Sequence, residues 1–513
     1  MRALVLLTLV GCTGKPSDDS SPPPQDSEPN DSVDSVPIDS VDSVPPEDSV
    51  DSVDSQPVVI DNDADGSPVE EDCNDADPIY PGATDVPCDQ VDANCDGVGE
   101  ADIVLIGETR YASVSEALTA ATDGDTIDVC PGIHVENLEI ATAITLTING
   151  YSGSYVDTEL DGGSVGPVLA LGEGVDLTLS NIGIVNGLAT WRNETDVQTG
   201  GGIYANGAWV RLSNVQFYEN TAQDYGAGIA VRLDDSGNTG LSVDGCVFHD
   251  NHASDSGGAI AVLGSDNADV TVSASTFTDN RAPTYGGAIY VGGDGLEATI
   301  DGSDFTTNST SSNRSYGGAI GTADADVELT VTDSTFSGNT AGRNGAALGL
   351  TSSRAVLTAD GCTFSANNAY QSGAGMYLES DDFSAEINNS SFASNVSSTD
   401  AGGVEIVGGG SAWFDTVSFT DNAAGNAGGG AVFDEGDGLT LTVELRDSTF
   451  TTNRCGIGGG GGIYASGARV ECENCDMGSG TDSNDPDDVY GCSDDFGSGA
   501  NFIFDESTGT YCL

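Results

Sequence analysis

Lysine is almost missing from this sequence. Lys15 is the only one in 513 residues, and 13 basic residues stand against 83 acidic ones, a formal charge of −70. A surface of that sign repels nucleic acid and anionic membranes and attracts divalent cations. Solubility, or adaptation to a salty medium, is the plainer account of the acidity as a whole. Long apolar runs are equally scarce. Ala3 to Val10 is too short to span a bilayer as a folded helix, and no later stretch is long and apolar enough to cross one. With three histidines in the chain, histidine chemistry would rest on His249 and His252 in "CVFHDNHASD". A solvated corner shared with Asp250 is the reading preferred there.

Arg2 followed by the short apolar run has the form of an export signal. Leu9-Val10-Gly11-Cys12 resembles the lipobox of bacterial lipoproteins. The resemblance implies that Cys12 is lipidated and becomes the first residue of the mature chain. Thr13, rather than aspartate, follows Cys12, which by the enterobacterial sorting rule implies a lipoprotein of a Gram-negative outer membrane; exposure at the cell surface is expected with it. Residues 1–12 are thus expected to be signal peptide. Residues 13–59, with runs such as "DSVDSVPIDSVDSV", have no aromatic residue and no helical period. They cannot bury enough apolar surface to offset the entropy of ordering, and read as an extended, self-repelling tether.

Twelve cysteines in an exported chain point to disulfides. Lipidation of Cys12 leaves an odd number, so at least one thiol is free or paired between molecules. Residues 60–100 are rich in Asp and Cys. In "DNDADGSPVEED", Asp61, Asp63, Asp65 and Asp72 hold loop positions 1, 3, 5 and 12, with Gly66 at the turn and Ser67 completing the candidate set. This is EF-hand-like spacing, with Asp in place of the final Glu and no flanking helices evident; alternating oxygens let one loop wrap a hard cation, Ca²⁺. A second ion is expected to draw on Asp72, Asp75, Asp77, Asp89, Asp92 or Asp96. The whole stretch resembles the Asp/Cys metal-binding motif of surface proteins from myxobacteria and their relatives, and Cys73, Cys88 and Cys95 match it. The competing account is a disulfide-stapled acidic linker with weak, unspecific cation binding.

Two marks then alternate along the chain. Phe-x-x-Asn occurs at Phe217, Phe248, Phe277, Phe305, Phe336, Phe364, Phe392, Phe419 and Phe450, at intervals of 27 to 31 residues. Each is preceded by a glycine mark such as Gly257-Gly258-Ala259-Ile260. A tenth mark, Gly461-Gly462-Ile463, has no Phe after it. A period of this size means a solenoid. In "ADVTVSASTFTDN" the apolar parity changes between Val272 and Phe277, which predicts a bend near Ser273–Ser275 and about three short strands per coil. Paired glycines suit a corner with positive φ, phenylalanines an internal stack, and asparagines an amide ladder. Two residues before each Phe runs a column of small residues that includes Cys246 and Cys362, expected as buried free thiols.

Ser113 with Glu116 forms a capping box, and Val114, Ala117, Leu118 and Ala121 share a helical face. Strands are expected at Thr126–Val129 and Ile144–Ile148. This order resembles the entry to right-handed parallel β-helices of the pectin-lyase-like class, where a short helix covers the open end. The expected fold is therefore all-β, a right-handed parallel β-helix over residues 101–480 with a short N-terminal capping helix. Residues 481–513 are expected to close the last coil, with Cys492 paired to Cys512. Cys130, Cys455, Cys472 and Cys475 are further disulfide candidates; Cys472-x-x-Cys475 reads better as structural than as a redox or zinc pair.

The alternating marks look like the repeats of chlamydial polymorphic outer membrane proteins, over roughly residues 200 to 465. The resemblance implies a β-helix and surface exposure. That family ends in a translocating barrel, for which the thirty-odd residues here after about 480 leave no room, so its export route is not carried over.

The fold class includes polysaccharide lyases and hydrolases. Lyases commonly need a base beside a calcium-held uronate, yet the coils here contain no lysine, their arginines are scattered, and no Asp cluster pairs with a Gly-His-Gly or Arg-x-Lys element. The expected function is a lipid-anchored structural or adhesive β-helix meeting polysaccharide or a cell-surface partner, with no catalytic residues. A calcium-dependent polysaccharide lyase or glycoside hydrolase is the alternative. Tyr225, Tyr285 and Tyr316, each just before a glycine mark, are either an exposed stripe for sugars or packing for the corner.

Overall fold

The computed structural model describes Cys88 and residues 104–505, apart from the segments 191–197, 234–238, 265–268, 325, 437, 457–458, 480–482, 486–487 and 490–497. Val104–Ile106 and Thr109–Tyr111 form an antiparallel hairpin whose first strand also pairs, antiparallel, with Thr126–Val129. Between them lies the helix Val114–Ala120. Ser113 is its N-cap and accepts from Glu116 N, while Glu116 Oε2 accepts from Ala112 N rather than from the cap residue itself. The Glu136 carboxylate takes the next two free amides, Val114 N and Ser115 N. Val114 and Ala117 are buried, and Leu118 and Ala121 pack on the core beside them, so the helix covers the first coil with the face expected.

From Thr126 to Asp476 the strands pair in parallel, each with the strand one coil ahead, in a right-handed solenoid of about 12 turns. One coil shows the plan: Ile260–Leu263, Asp269–Ser273, Thr276–Thr278 and the two-residue Arg281–Ala282. The fourth strand was not anticipated. It is two residues long, too short to carry an alternation, and belongs to a separate ten-stranded sheet. The bend between the second and third strands is made by one left-handed residue, Ala274 at φ 46°, with Gly302, Asp333 and Asn389 in the same place one or more coils on.

The nine phenylalanines are fully buried. Their rings stack in one column, centroids 4.4–5.0 Å apart and planes within 9°, the spacing that parallel strand pairing imposes. The asparagines form a second column. The column starts at Asn220, whose Oδ1 accepts from Gly187 N and whose Nδ2 donates to Ile184 O; after it each Oδ1 accepts from the backbone N and the Nδ2 of the preceding asparagine, and each Nδ2 also donates to a phenylalanine carbonyl, as Asn280 Nδ2 does to Phe248 O at 2.9 Å. The small-residue column is a third ladder: Ser275 N donates to Ser303 Oγ, and Ser303 N to Ser334 Oγ. Cys246 and Cys362 are buried free thiols within it, and burial pushes them up to about 12 and about 11.

The tenth coil keeps both columns with other residues. Asp476 pairs with Thr449, so Met477 follows in the place of Phe450, and it is fully buried. Asn484 then accepts from Asn453 and donates to Phe450 O and to the buried Asp488, where the ladder ends. Strand Ser498–Asp505 lies antiparallel on Arg469–Asp476, pairing an edge that would otherwise be open.

Candidate functional site

Cys12, the calcium candidates Asp61, Asp63, Asp65, Ser67, Asp72, Asp75, Asp77, Asp89, Asp92 and Asp96, and Cys73, Cys95, Cys492 and Cys512 all lie outside the described residues. Of the remaining cysteines, Cys88 is bonded to Cys130, directly after the first parallel strand, and Cys472 to Cys475. Cys455 ends the two-residue strand Arg454–Cys455 and is half-buried. Among the described residues no group of three His, Cys, Asp or Glu is placed to hold a metal. His249 stacks on Tyr218 and bonds Gln216 and Asp250, while His252 stands on the following strand beside Thr221 and Arg281. The two histidines therefore serve different strands.

With Phe, Asn and Ser committed inward, chemistry is left to the outward side chains. On the first strand of each coil the outward column runs through Tyr290, Gly321, Gly349, Tyr377, Glu405 and Val432. The corner tyrosines fold over it. Tyr225 and Tyr285 stack on Tyr290, Tyr285 on Tyr316, and Tyr316 meets Tyr377, at centroid distances of 5.6–6.0 Å. A Cβ on Gly349 would sit 2.3 Å from Gly317 N, so glycine is what lets the corner backbone close on the sheet. Tyr290, Tyr316 and Tyr377 are at most 8% exposed. Tyr316 thus packs against the corner, while Tyr225 and Tyr285, stacked on the same layer, stay half-buried.

Glu405 stands where this aromatic layer ends. It is 9% exposed, and its Oε2 has no hydrogen-bond partner among the described residues. Burial, with repulsion from Asp400, Asp434 and Glu379 and against a hydrogen bond from Ser372, pushes its carboxyl up to about 8. Nothing in the sequence singles it out, because its outward place is known only once Tyr377 is seen opposite.

The second strands carry a different surface. In two coils the first and second strands fuse into Met376–Asn388 and Val404–Asp415, with a register shift between Ser380 and Phe383. On the outward face of this pair opens a groove of about 570 Å³, with an adjoining hollow of about 250 Å³. Both are lined by Glu386 and Trp413. In register, Glu386, Trp413 and Glu444 are neighbours across three strands. Arg446 lies over the indole at 4.8 Å and is ion-paired with Glu473. Asp360, accepting from Asn389 Nδ2 at 2.8 Å, and Asp415, accepting from Thr416, complete the larger groove. The signal in the sequence was a tryptophan at solvent parity in "SAWFD", next to the inward Phe414.

Residues 201–392 match the family model described as "Right handed beta helix region". No curated protein and no solved structure matches the chain significantly.

Proposed function

We propose that the chain is a lipid-anchored protein of a Gram-negative outer membrane, exposed at the cell surface, whose β-helix has a structural or adhesive role. In this reading Cys12 carries the lipid, residues 13–59 hold the solenoid off the membrane, and Ca²⁺ bound by residues 60–100 stiffens its base. The observation that supports it is the commitment of the interior to three coil-to-coil ladders of Phe, Asn and small residues. Such a core builds a stiff scaffold and leaves only the outward faces to meet a partner, a surface polysaccharide or another cell.

Two measurements test the anchor and the base. Labelled palmitate is expected to enter the protein, and Cys12→Ser to abolish both labelling and membrane retention; a wild-type chain that takes no lipid overturns the anchor. Calcium is expected to protect residues 60–100 from protease, and Asp63→Ala with Asp65→Ala to remove that protection. Equal cleavage in calcium and in chelator overturns the metal assignment.

One feature favours the alternative of a polysaccharide-active enzyme: Glu405, a buried carboxyl pushed up to about 8 by burial and by neighbouring carboxylates. A raised pKa is what a general acid needs. Release of reducing or unsaturated ends from a glycan panel, lost in Glu405→Gln, would establish that reading.

A further inference from the structure

We infer that the groove at Trp413 binds a saccharide bearing free amino groups, an inference that rests on the adhesive reading and names its ligand class. The half-buried indole offers one flat apolar wall. Arg446, from the following coil, lies over the ring, while the larger groove is walled by Asp360, Glu386, Asn388 and Asn389 of the preceding coils and by Asp415 and Thr416 next to Trp413. The cation therefore braces the ring from the side away from the groove, and an indole face remains for a ligand. A flat aromatic beside hydroxyl and amide side chains suits a sugar ring, which is apolar on its C–H face and polar at its rim. Asn388 and Thr416 in the groove, and Ser411 and Thr442 in the hollow, supply that polar edge.

Charge fixes the class of sugar. Asp360, Glu386, Asp415 and Glu444 line the two spaces, and no lining residue is basic. A uronate would meet four carboxylates against the single guanidinium of Arg446, itself ion-paired with Glu473, whereas an ammonium on the sugar would be paired. Glu386 and Glu444 flank Trp413 on the neighbouring strands, two strand spacings or roughly 9.6 Å apart. On the free face of the indole the larger groove sets Asp360, Glu386 and Asp415 around a stacked sugar ring, within reach of its amines.

The test is calorimetric titration of the full mature chain with a glucosamine tetramer, its N-acetylated counterpart, a galacturonate tetramer and tetralysine. Saturable binding of the glucosamine tetramer is expected, at least tenfold tighter than the N-acetylated form, weakening with salt, and with none for galacturonate. Trp413→Ala is expected to lower affinity at least tenfold with an unchanged melting temperature. Glu386→Gln, a near-isosteric surface change, is expected to erase most of the preference for free amines. No saturable binding, an undiminished Trp413→Ala variant, equal binding of galacturonate, or tetralysine binding as tightly as the sugar would each overturn the assignment. Retention of cells or another glycan by Trp413→Ala would leave the adhesive reading standing and remove this site from it.

Discussion

Asn308 makes four hydrogen bonds with its side chain, donating to Phe277 O and Asn339 Oδ1 and accepting from Asn280 N and Nδ2. All are buried, so removing the amide strands groups that water cannot reach. Each unsatisfied group costs about 1–3 kcal/mol. Asn308→Ala is expected to lose about 3 kcal/mol or more, read as a lower urea midpoint, comparable with removing a stacked ring by Phe305→Ala at about 3–5 kcal/mol. Glu405 acts in the opposite direction. Its carboxyl titrates at about 8 in the fold against an ordinary 4.5. Below the lower value it is neutral in both states and costs nothing. As pH rises toward the upper value, the unfolded chain releases the proton and the folded chain keeps it, so stability falls across that window. Glu405→Gln should therefore be more stable than the parent at pH 8, by on the order of a few kcal/mol, and nearly equal to it at pH 4; thermal melts at the two pH values check it. The Phe and Asn columns could be read from sequence because every coil repeats them. Glu405 and Glu386 could not, and Trp413 only as a tryptophan at solvent parity, because outward positions are free to change from coil to coil and only the register shows which ones meet.

The corner is the element most tightly specified by backbone geometry. Gly286 has φ 55°, and a Cβ there would lie 1.9 Å from Ile289 O. Nine coils place glycine at the first position of the mark, at φ 55–72°, but Ala401 takes the same place at φ 49°. An L-residue in the left-handed region costs roughly 1–2 kcal/mol. Ala401→Gly is accordingly expected to raise the urea midpoint by about 1 kcal/mol of stability, whereas Gly286→Ala should lower it by more. The glycine marks announced this corner correctly. The fourth strand went unseen because two residues carry no period, and the tenth coil looked incomplete because Met477 and Asn484 fill the two columns with six residues between them instead of two. A flexible thioether can end an aromatic stack where no further ring is needed.

For the molecule as a whole, the charge of −70 and the ladders address different tasks. The ladders hold each coil to its neighbours from the inside, while the acid-rich exterior sets which partners approach. The same excess of carboxylates that turns away nucleic acid draws cations, and at the Trp413 groove it is what favours an amine-bearing sugar over a uronate in our inference; composition by itself named no ligand. The central claim is that this β-helix holds a glycan and does not cut it. Incubating the mature protein with a panel of neutral, amine-bearing and uronate polysaccharides in calcium, then measuring both retention and chain length, tests that claim most directly. Amine-bearing chains are expected to be retained and recovered at their original length with no new reducing or unsaturated ends. Steady shortening of any chain, abolished by Glu405→Gln, would contradict it.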